Sequence, residues 1–211
     1  MLTPQLENLL INQKLINAET DTLFSINNIS WLQYEILLNK LDDIAKFRIK
    51  YCEGILTIMS PSRNHEILKK RIAILLEIYL IEHNINYYPT GSTTFRKEEK
   101  RGGLEPDKSY CFHELKEYPD LAIEVIFASI DSLQIYHKLG VKEVWFWQNE
   151  QLFIYHLCSE NTLEFSSNYG YELIEYSKLF PNLNITIFTE YIKHPNPLIA
   201  SKNFRQSFNL S

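Results

Sequence analysis

The sequence contains few cysteines and no long apolar run. Its three cysteines, Cys52, Cys111 and Cys158, form no Cys-x-x-Cys pair, which excludes a disulfide scaffold and favours reduced thiols. The longest apolar stretch, residues 72–81, contains a glutamate and is shorter than the roughly 18 residues that a membrane-spanning helix needs. The first residues also lack the basic and apolar segments of a secretory signal. We therefore expect a cytoplasmic protein without a membrane partner.

An excess of positive charge is missing too. The chain has 21 lysines and arginines against 26 aspartates and glutamates, which gives a net charge of −5. A protein that covers nucleic acid with a broad cationic surface is more basic than this. A role on nucleic acid would therefore need a local basic patch or a metal ion that neutralises acidic side chains.

The length and composition are typical of one globular domain. Of the 211 residues, 45% are hydrophobic and 22% are charged, which is enough for a sizeable core and excludes a disordered chain. We expect a short helical N-terminal extension over residues 1–24 and a main domain over residues 25–195. Residues 196–211 are expected to form a C-terminal tail with one amphipathic turn.

Periodicity and turn residues predict a mixed α/β sheet flanked by helices. Ser30 and the helical spacing of the following apolar residues predict a helix up to Leu41, and Gly54 lies in the turn of a predicted hairpin. The longest helix is expected after residues 60–62, and a shorter one is expected to end before Gly140. The predicted strands cover residues 47–52, 55–59, 87–95, 104–112, 121–127, 141–147 and 151–156, with weaker ones near 162–166 and 171–176.

Two carboxylates carry the clearest chemical signal. Asp107 follows a proline at a strand position, and Glu124 is the only charged residue in the apolar run 121–127. Taking a carboxylate out of water costs several kcal/mol unless it is paired or binds a metal. If the two strands are neighbours, both carboxylates can converge on one hard cation such as Mg²⁺. A salt bridge at Glu124 and a turn cap at Asp107 explain the same pattern equally well.

Four segments, taken in order, resemble one family of proteins. They are the hairpin of residues 51–62 that leads to His65-Glu66, the Glu105-Pro106-Asp107 motif, residues 119–125, and residues 135–147. Each segment is weakly specific by itself. Their order and spacing are similar to those of the Uma-two family of restriction-type endonucleases, within the PD-(D/E)XK nuclease superfamily.

The resemblance implies a restriction-endonuclease-like core that hydrolyses phosphodiester bonds of DNA with Mg²⁺ or Mn²⁺. It implies that Asp107, Glu124 and the carbonyl of Val125 hold the metal ion, and that Glu66 on the long helix faces the same site. A metal ion bound in this way polarises the phosphodiester and lowers the pKa of the attacking water. A homodimer is expected from the resemblance and from the two strands of a DNA target.

The chain departs from the family pattern at the catalytic lysine. The superfamily places this lysine where the chain has Ile126, and the resembled family places it one helical turn before Tyr136, where the chain has Ser132. Lys138 is rotated by about 240° from Ser132 on the helix, and Lys108 is expected on the opposite face of its strand. Serine cannot supply the missing positive charge, so we expect a weak nuclease or none. The first alternative is a nuclease-fold module that binds or assembles without hydrolysis, and the second is an unrelated α/β enzyme with acid–base carboxylates.

Three other groups of residues are interpreted as structural. His65 has no second histidine at metal-ligand spacing and is expected at a helix end or at the rim of a site. Trp145 and Trp147 share a strand face and are expected to pack in the core or in a dimer interface. The charged run 96–101 is expected to be a solvated turn, with contact to a phosphate backbone as the alternative.

Overall fold

The computed structural model describes residues 20–41, 47–91, 93–100, 102–125, 131–158 and 168–208. The strands are β1 (Thr22–Ile26), β2 (Arg48–Cys52), β3 (Ile55–Ser60), β4 (Tyr87–Pro89), β5 (Phe95–Lys97), β6 (Gly102–Leu104), β7 (Lys108–Phe112), β8 (Leu121–Val125), β9 (Glu143–Gln148), β10 (Gln151–Leu157) and β11 (Tyr171–Ile174). The helices are α1 (Trp31–Leu41), α2 (Arg63–Glu82), α3 (Asp131–Leu139), α4 (Ile185–Lys193) and α5 (Pro197–Ser207), with a 3₁₀ turn at Glu98–Lys100. This composition confirms the predicted mixed α/β class.

Among the residues that the structure describes, the strands form two sheets, and the chain divides into two units. One sheet has five strands in the order β1-β3-β2-β6-β5, and the other has six in the order β11-β10-β9-β8-β7-β4. The first unit contains the residues up to 66 and residues 94–105, and the second contains residues 67–93 and those from 106 onward. The strands that the sequence analysis groups into one central sheet are therefore divided between two sheets, one in each unit. The predicted division at residues 24 and 195 stays a prediction.

In the first unit, α1 begins with a capping box, which confirms the predicted helix and its cap. The Ser30 amide donates to Gln33 Oε1 at 2.8 Å, and the Gln33 amide donates to Ser30 Oγ at 3.2 Å. Tyr34 and Leu37 of α1 are buried against apolar residues of β2 and β3, namely Ile49, Tyr51, Leu56 and Ile58. This small core attaches the helix to the five-stranded sheet.

The hairpin of β2 and β3 confirms the turn predicted at Gly54. Glu53 and Gly54 have φ angles of 49° and 92°, a left-handed conformation in which glycine is favoured. The adjacent strand β1 pairs antiparallel with β3, so the helical extension predicted up to residue 24 is wrong for residues 22–24. Pairing with a strand that is distant in sequence decides the conformation of this segment. Residues 1–19 of the predicted extension lie outside the described residues.

In the second unit, the six-stranded sheet is antiparallel except where β8 runs parallel to β9. The apolar stripe of α2 packs on one face of this sheet, where Ile72 and Leu76 share a core with Ile123 and Val125. As predicted, the long helix, the shorter helix before Gly140 and the β9–β10 hairpin are all present. The core on this face fixes the strands that carry the candidate site.

The last part of the described chain is more helical than the sequence predicts. The side chain of Asn184 caps α4, and that of Asn196 caps α5. α5 is a helix of 11 residues rather than the single turn that the sequence predicts. Its Phe204 is only 1% exposed and belongs to the core. The weak strand near 171–176 corresponds to β11, whereas the one near 162–166 lies outside the described residues. Within the residues that the structure describes, no helix is long and apolar enough to cross a membrane.

Candidate functional site

The candidate site lies where β7 begins and β8 ends. The two strands pair antiparallel, with Lys108 opposite Ile123 and Ser109 opposite Ala122. Continuing this register by one residue brings Asp107 opposite Glu124. The Val125 amide donates to Asp107 Oδ2 at 2.8 Å, which holds the aspartate carboxylate against the end of β8. The strand neighbours that the sequence analysis required for a shared site are therefore present.

The two carboxylates differ in their exposure. Asp107 is buried, with 1% of its surface exposed, and Glu124 is half-buried. The neighbours of Glu124 along β8, Ile123 and Val125, point into the core beneath α2, so Glu124 lies on the other face of the strand. Two carboxylates this close together, one of them buried, raise the electrostatic cost of the site unless positive charge offsets it.

Tyr136 of α3 binds Glu124 directly. Its hydroxyl donates to Glu124 Oε1 at 2.5 Å, and the ring is fully buried. Burial raises the pKa of the Tyr136 phenol well above its ordinary value, and the negative charges of Glu124 and Asp107 raise it further. The phenol therefore remains a proton donor at neutral pH, and both carboxylates act on it. From the sequence, Tyr136 is only a marker of the family pattern, because nothing local shows which residue its hydroxyl reaches.

Ser132 occupies the lysine position of the resembled family and is buried, with 4% of its surface exposed. It lies one turn before Tyr136, and residues four apart share a helix face. A side chain at position 132 therefore points from the same face of α3 as the tyrosine that binds Glu124. The catalytic relevance of this position stays a prediction, and Ile126 lies outside the described residues.

The two nearby lysines, Lys108 and Lys138, lie on faces other than those that carry Glu124 and Tyr136. Lys108 is opposite Ile123, whose side chain belongs to the core beneath α2, so it lies on the face away from Glu124, as predicted. Lys138 is two residues after Tyr136 on α3, which rotates it by about 200° from the tyrosine.

Glu66, the third predicted acidic residue, belongs to the first unit. Its Oε1 lies 3.9 Å from a terminal nitrogen of Arg48, and the same guanidinium lies 3.8 Å from Glu105 Oε2. Thr94 donates a hydrogen bond to the other oxygen of Glu105 at 2.8 Å. Arg48 Nε is buried without a hydrogen-bond partner. No sequence pattern singles out Arg48, and the catalytic role of Glu66 stays a prediction.

His65 is occupied by a structural contact, which agrees with its interpretation as a helix-end histidine. Its Nδ1 lies 2.8 Å from Asp21 Oδ2, and the Ser62 amide donates to Asp21 Oδ1 at 2.6 Å. Burial by itself would raise the pKa of Asp21, but the hydrogen bonds from His65 and Ser62 outweigh it and lower the pKa. The imidazole is fully buried, so the contact ties β1 to the start of α2.

Glu143 at the start of β9 is a second buried carboxylate that the sequence does not reveal as special. Oε1 accepts hydrogen bonds from the amides of Lys178 and Leu179 at 2.6 and 3.0 Å. Oε2 accepts from Ser177 Oγ at 2.7 Å and from Trp145 Nε1 at 3.0 Å. The side chain therefore anchors residues 177–179 to the sheet.

Asp120, just before β8, is the third buried carboxylate among the described residues. The ammonium groups of Lys116 and Lys142 lie 2.6 and 2.9 Å from its two oxygens, and the Phe112 amide donates at 2.9 Å. Burial by itself would raise the pKa of Asp120, but these donors outweigh it and lower the pKa. Asp120 therefore stabilises the connection between β7 and β8.

The donor set at the β7–β8 ends suits a hard divalent cation. Asp107 and Glu124 offer carboxylate oxygens, and Val125 offers a backbone carbonyl, which are the ligand types that Mg²⁺ and Mn²⁺ prefer. Among the described residues, no group of three histidine, cysteine, aspartate or glutamate side chains is arranged to hold a metal ion. A metal ion here would therefore use two carboxylates and complete its coordination with the carbonyl and with water, as Mg²⁺ commonly does.

Comparison with known proteins agrees with the resemblance seen in the sequence. The chain has some likeness to a crystal structure described as a putative nuclease belonging to DUF820 from Anabaena variabilis ATCC 29413, with 14% identity and a TM-score of 0.44 over 74% of this chain and 90% of the other. No curated protein sequence gives a significant match. A family model described as "Uma2: Putative restriction endonuclease" matches residues 31–187. The chain belongs to this family, the Uma-two family.

Proposed function

We propose that this protein is a metal-dependent endonuclease that hydrolyses phosphodiester bonds of DNA, with a rate limited by the absence of the family lysine. The observation that carries the proposal is the meeting of Asp107 and Glu124 at the β7–β8 ends, with the Val125 amide bonded to the aspartate. Membership of the Uma-two family supports the same reaction class. The resemblance also supports a homodimer, and Glu66 remains a proposed further acidic residue of the reaction.

In this proposal, the chain's own residues prepare the two carboxylates. The Val125 amide fixes one oxygen of Asp107, and the Tyr136 hydroxyl fixes one oxygen of Glu124. These donors hold each carboxylate in one orientation, and carboxylate oxygens are the ligand type that a hard divalent cation binds. Bound Mg²⁺ or Mn²⁺ would polarise the phosphodiester and lower the pKa of a water molecule. Tyr136 stays protonated and so holds Glu124 in one orientation throughout.

The buried serine at position 132 favours a second candidate, a nuclease-fold module that binds without hydrolysis. Removing one group that stabilises the charge of a transition state typically costs on the order of a hundred- to a thousandfold in rate. A metal site can persist under such a loss, because its ligands are different residues. The two candidates therefore share a metal site and differ only in turnover.

Mn²⁺ titration calorimetry and plasmid cleavage together test the proposal. We expect the wild-type protein to bind Mn²⁺, and Asp107→Ala to abolish this binding. Glu114→Ala is the control, because Glu114 is exposed and belongs to the loop between β7 and β8. Binding that persists in Asp107→Ala would show that the metal lies elsewhere. Slow cleavage that disappears in Glu124→Ala supports the nuclease, whereas metal binding without any cleavage supports the binding module.

A further inference from the structure

Lys69 of α2 is a buried cation that the proposed reaction does not yet use. Among the side chains that the structure describes, it is the one buried lysine or arginine, with 5% of its surface exposed. Lysine is almost never buried unless it is paired, and Lys69 is not without an interaction partner. A buried ammonium in an apolar helix face therefore indicates a nearby carboxylate.

Lys69 faces the six-stranded sheet. Ile72 and Leu76 lie three and seven positions further along α2, on the same helix face. Both pack in the core with Ile123 and Val125 of β8. The Lys69 side chain therefore leaves α2 on the side that covers β7 and β8.

Lys69 also lies at the level of Asp107 along the sheet. α2 ends at Glu82, and the chain enters β4 at Tyr87, which is paired with Phe112 of β7. The C-terminal end of α2 is thus beside the Phe112 end of β7. The rise along α2 from Glu82 back to Lys69 is about 20 Å, and the rise along β7 from Phe112 back to Asp107 is about 17 Å. The two similar lengths bring Lys69 and Asp107 to the same end of the sheet.

The other buried carboxylates of the second unit already have donors. Glu143 accepts four hydrogen bonds, and Asp120 contacts two lysines. Asp107 accepts from a backbone amide of the neighbouring strand, which places its carboxylate in the plane of the sheet at the end of β8. A group at that end can be reached from the α2 side as well as from the α3 side.

We propose that the Lys69 ammonium lies at the Asp107–Glu124 pair and supplies there part of the positive charge that Ser132 cannot supply, which leaves the slow cleavage of the proposed function. The role in catalysis rests on the proposed function, whereas the position of the ammonium does not. In this position, Lys69 offsets the repulsion between the two carboxylates and stabilises negative charge that develops on a phosphate in the transition state.

A double-mutant cycle tests the position of Lys69 without any metal. Lys69→Met and Asp107→Asn are measured singly and together by urea unfolding of the full chain. If the groups are paired, the double variant shifts the midpoint by clearly less than the two single shifts combined. Additive shifts would overturn the proposal. Lys70→Met combined with Asp107→Asn is the control, because Lys70 is exposed and should be additive; Lys69→Gln replaces Lys69→Met if the latter does not fold.

Mn²⁺ calorimetry and cleavage test the charge at the site. Lys69→Met should bind Mn²⁺ on the order of tenfold more tightly, because a neighbouring ammonium repels a divalent cation. Its residual cleavage should fall on the order of a hundredfold, while Lys70→Met changes neither quantity. An unchanged Mn²⁺ affinity in Lys69→Met would overturn the charge role. Mn²⁺ binding that survives Asp107→Ala would instead overturn the proposed function, and the double-mutant cycle would then decide on Lys69 by itself.

Discussion

The adjacent strands β8 and β9 each carry a carboxylate in a family motif, yet the two have opposite surroundings. Glu143 is fully buried and accepts four hydrogen bonds, so both of its oxygens are satisfied by the chain itself. Glu124 lies three residues further along the paired strand, is half-buried, and lies beside a second carboxylate, Asp107. The same residue type therefore anchors a loop at one position and, in the proposed function, contributes to a cation site at the other.

The difference teaches how a structural carboxylate can be distinguished from one that suits a cation site. At Glu143, two backbone amides, a serine hydroxyl and an indole N–H satisfy both oxygens, and His156 Nδ1 lies 3.5 Å from Oε1. At Glu124, the tyrosine donor holds one oxygen while a like charge lies close by, an arrangement that favours a cation. Burial alone does not separate these cases, since the more deeply buried glutamate is the structural one.

The largest contrast is expected from matched Glu→Gln changes. Glu143→Gln should lower the free energy of unfolding by about 2–4 kcal/mol, because an amide nitrogen would face donors that need an acceptor. Glu124→Gln should lower it by less than about 1 kcal/mol, because an amide oxygen can still accept from Tyr136 and repulsion with Asp107 is removed. Urea unfolding at neutral pH measures both. Equal losses would break the distinction between the two carboxylates.

The next effect concerns the rate of DNA cleavage. Ser132→Lys should raise metal-dependent cleavage of supercoiled plasmid by up to about a hundredfold, because the new ammonium projects from the helix face of Tyr136. Ser132→Ala serves as the control and should leave the slow rate unchanged.

Robust cleavage by the wild type that is lost in Glu124→Ala would contradict the weak-nuclease prediction. It would also give weight to Lys69 as the resident cation. If the cleavage rate of Ser132→Lys does not rise, its Mn²⁺ affinity must be measured as well, since position 132 is buried and a new lysine there can be misplaced. An unchanged rate counts against the prediction only if the Mn²⁺ affinity is unchanged too.

The elements with local signals were predictable from the sequence. The apolar stripe of α2, the Ser30 cap and the left-handed turn at Gly54 each depend on residues close together in the chain, and each is present. Glu124 could be singled out for the same reason, since it is one charge within an apolar strand. Local spacing carries this information because helices and turns form from neighbouring residues.

The contacts that give the site its character were not predictable. Residues 22–24 pair with β3, and Glu143 binds residues 177–179, in both cases across a long separation in sequence. The burial of Lys69 and the bond from Tyr136 to Glu124 likewise depend on how helices pack on the sheet. Periodicity identifies the face of a helix but not the partner that the face meets.

A smaller effect is expected at Tyr136, and it would sharpen the contrast at Glu124. Tyr136→Phe should weaken Mn²⁺ binding by about tenfold, because the donor that orients the Glu124 carboxylate is lost. Tyr155→Phe is the matched control, since Tyr155 is also a buried tyrosine of the second unit. Isothermal titration measures the affinity, and thermal unfolding reports any loss of fold. Equal Mn²⁺ affinity in the wild type and Tyr136→Phe would mean that the tyrosine only fills space.

The smallest effect concerns Asp120, which lies just before β8 and, like Glu143, is a buried carboxylate with several donors. We expect its contribution to the free energy of unfolding to depend on pH. Its pKa in the folded protein is lowered, because the hydrogen bonds from Lys116 and Lys142 outweigh burial. A carboxyl group with a lowered folded pKa stabilises the protein above its unfolded value of about 3.9, and this contribution is lost as the pH falls through the folded pKa. Asp120→Asn should therefore be less stable than the wild type at pH 7, and the gap should narrow below about pH 4. Urea unfolding at pH 7 and near pH 3 measures the gap, with the exposed Glu117→Gln as a control that shows little change. A gap of constant size would mean that Asp120 acts through its shape and hydrogen bonds rather than its charge. The contrast between the structural carboxylates and Glu124 would then depend on Glu143 alone.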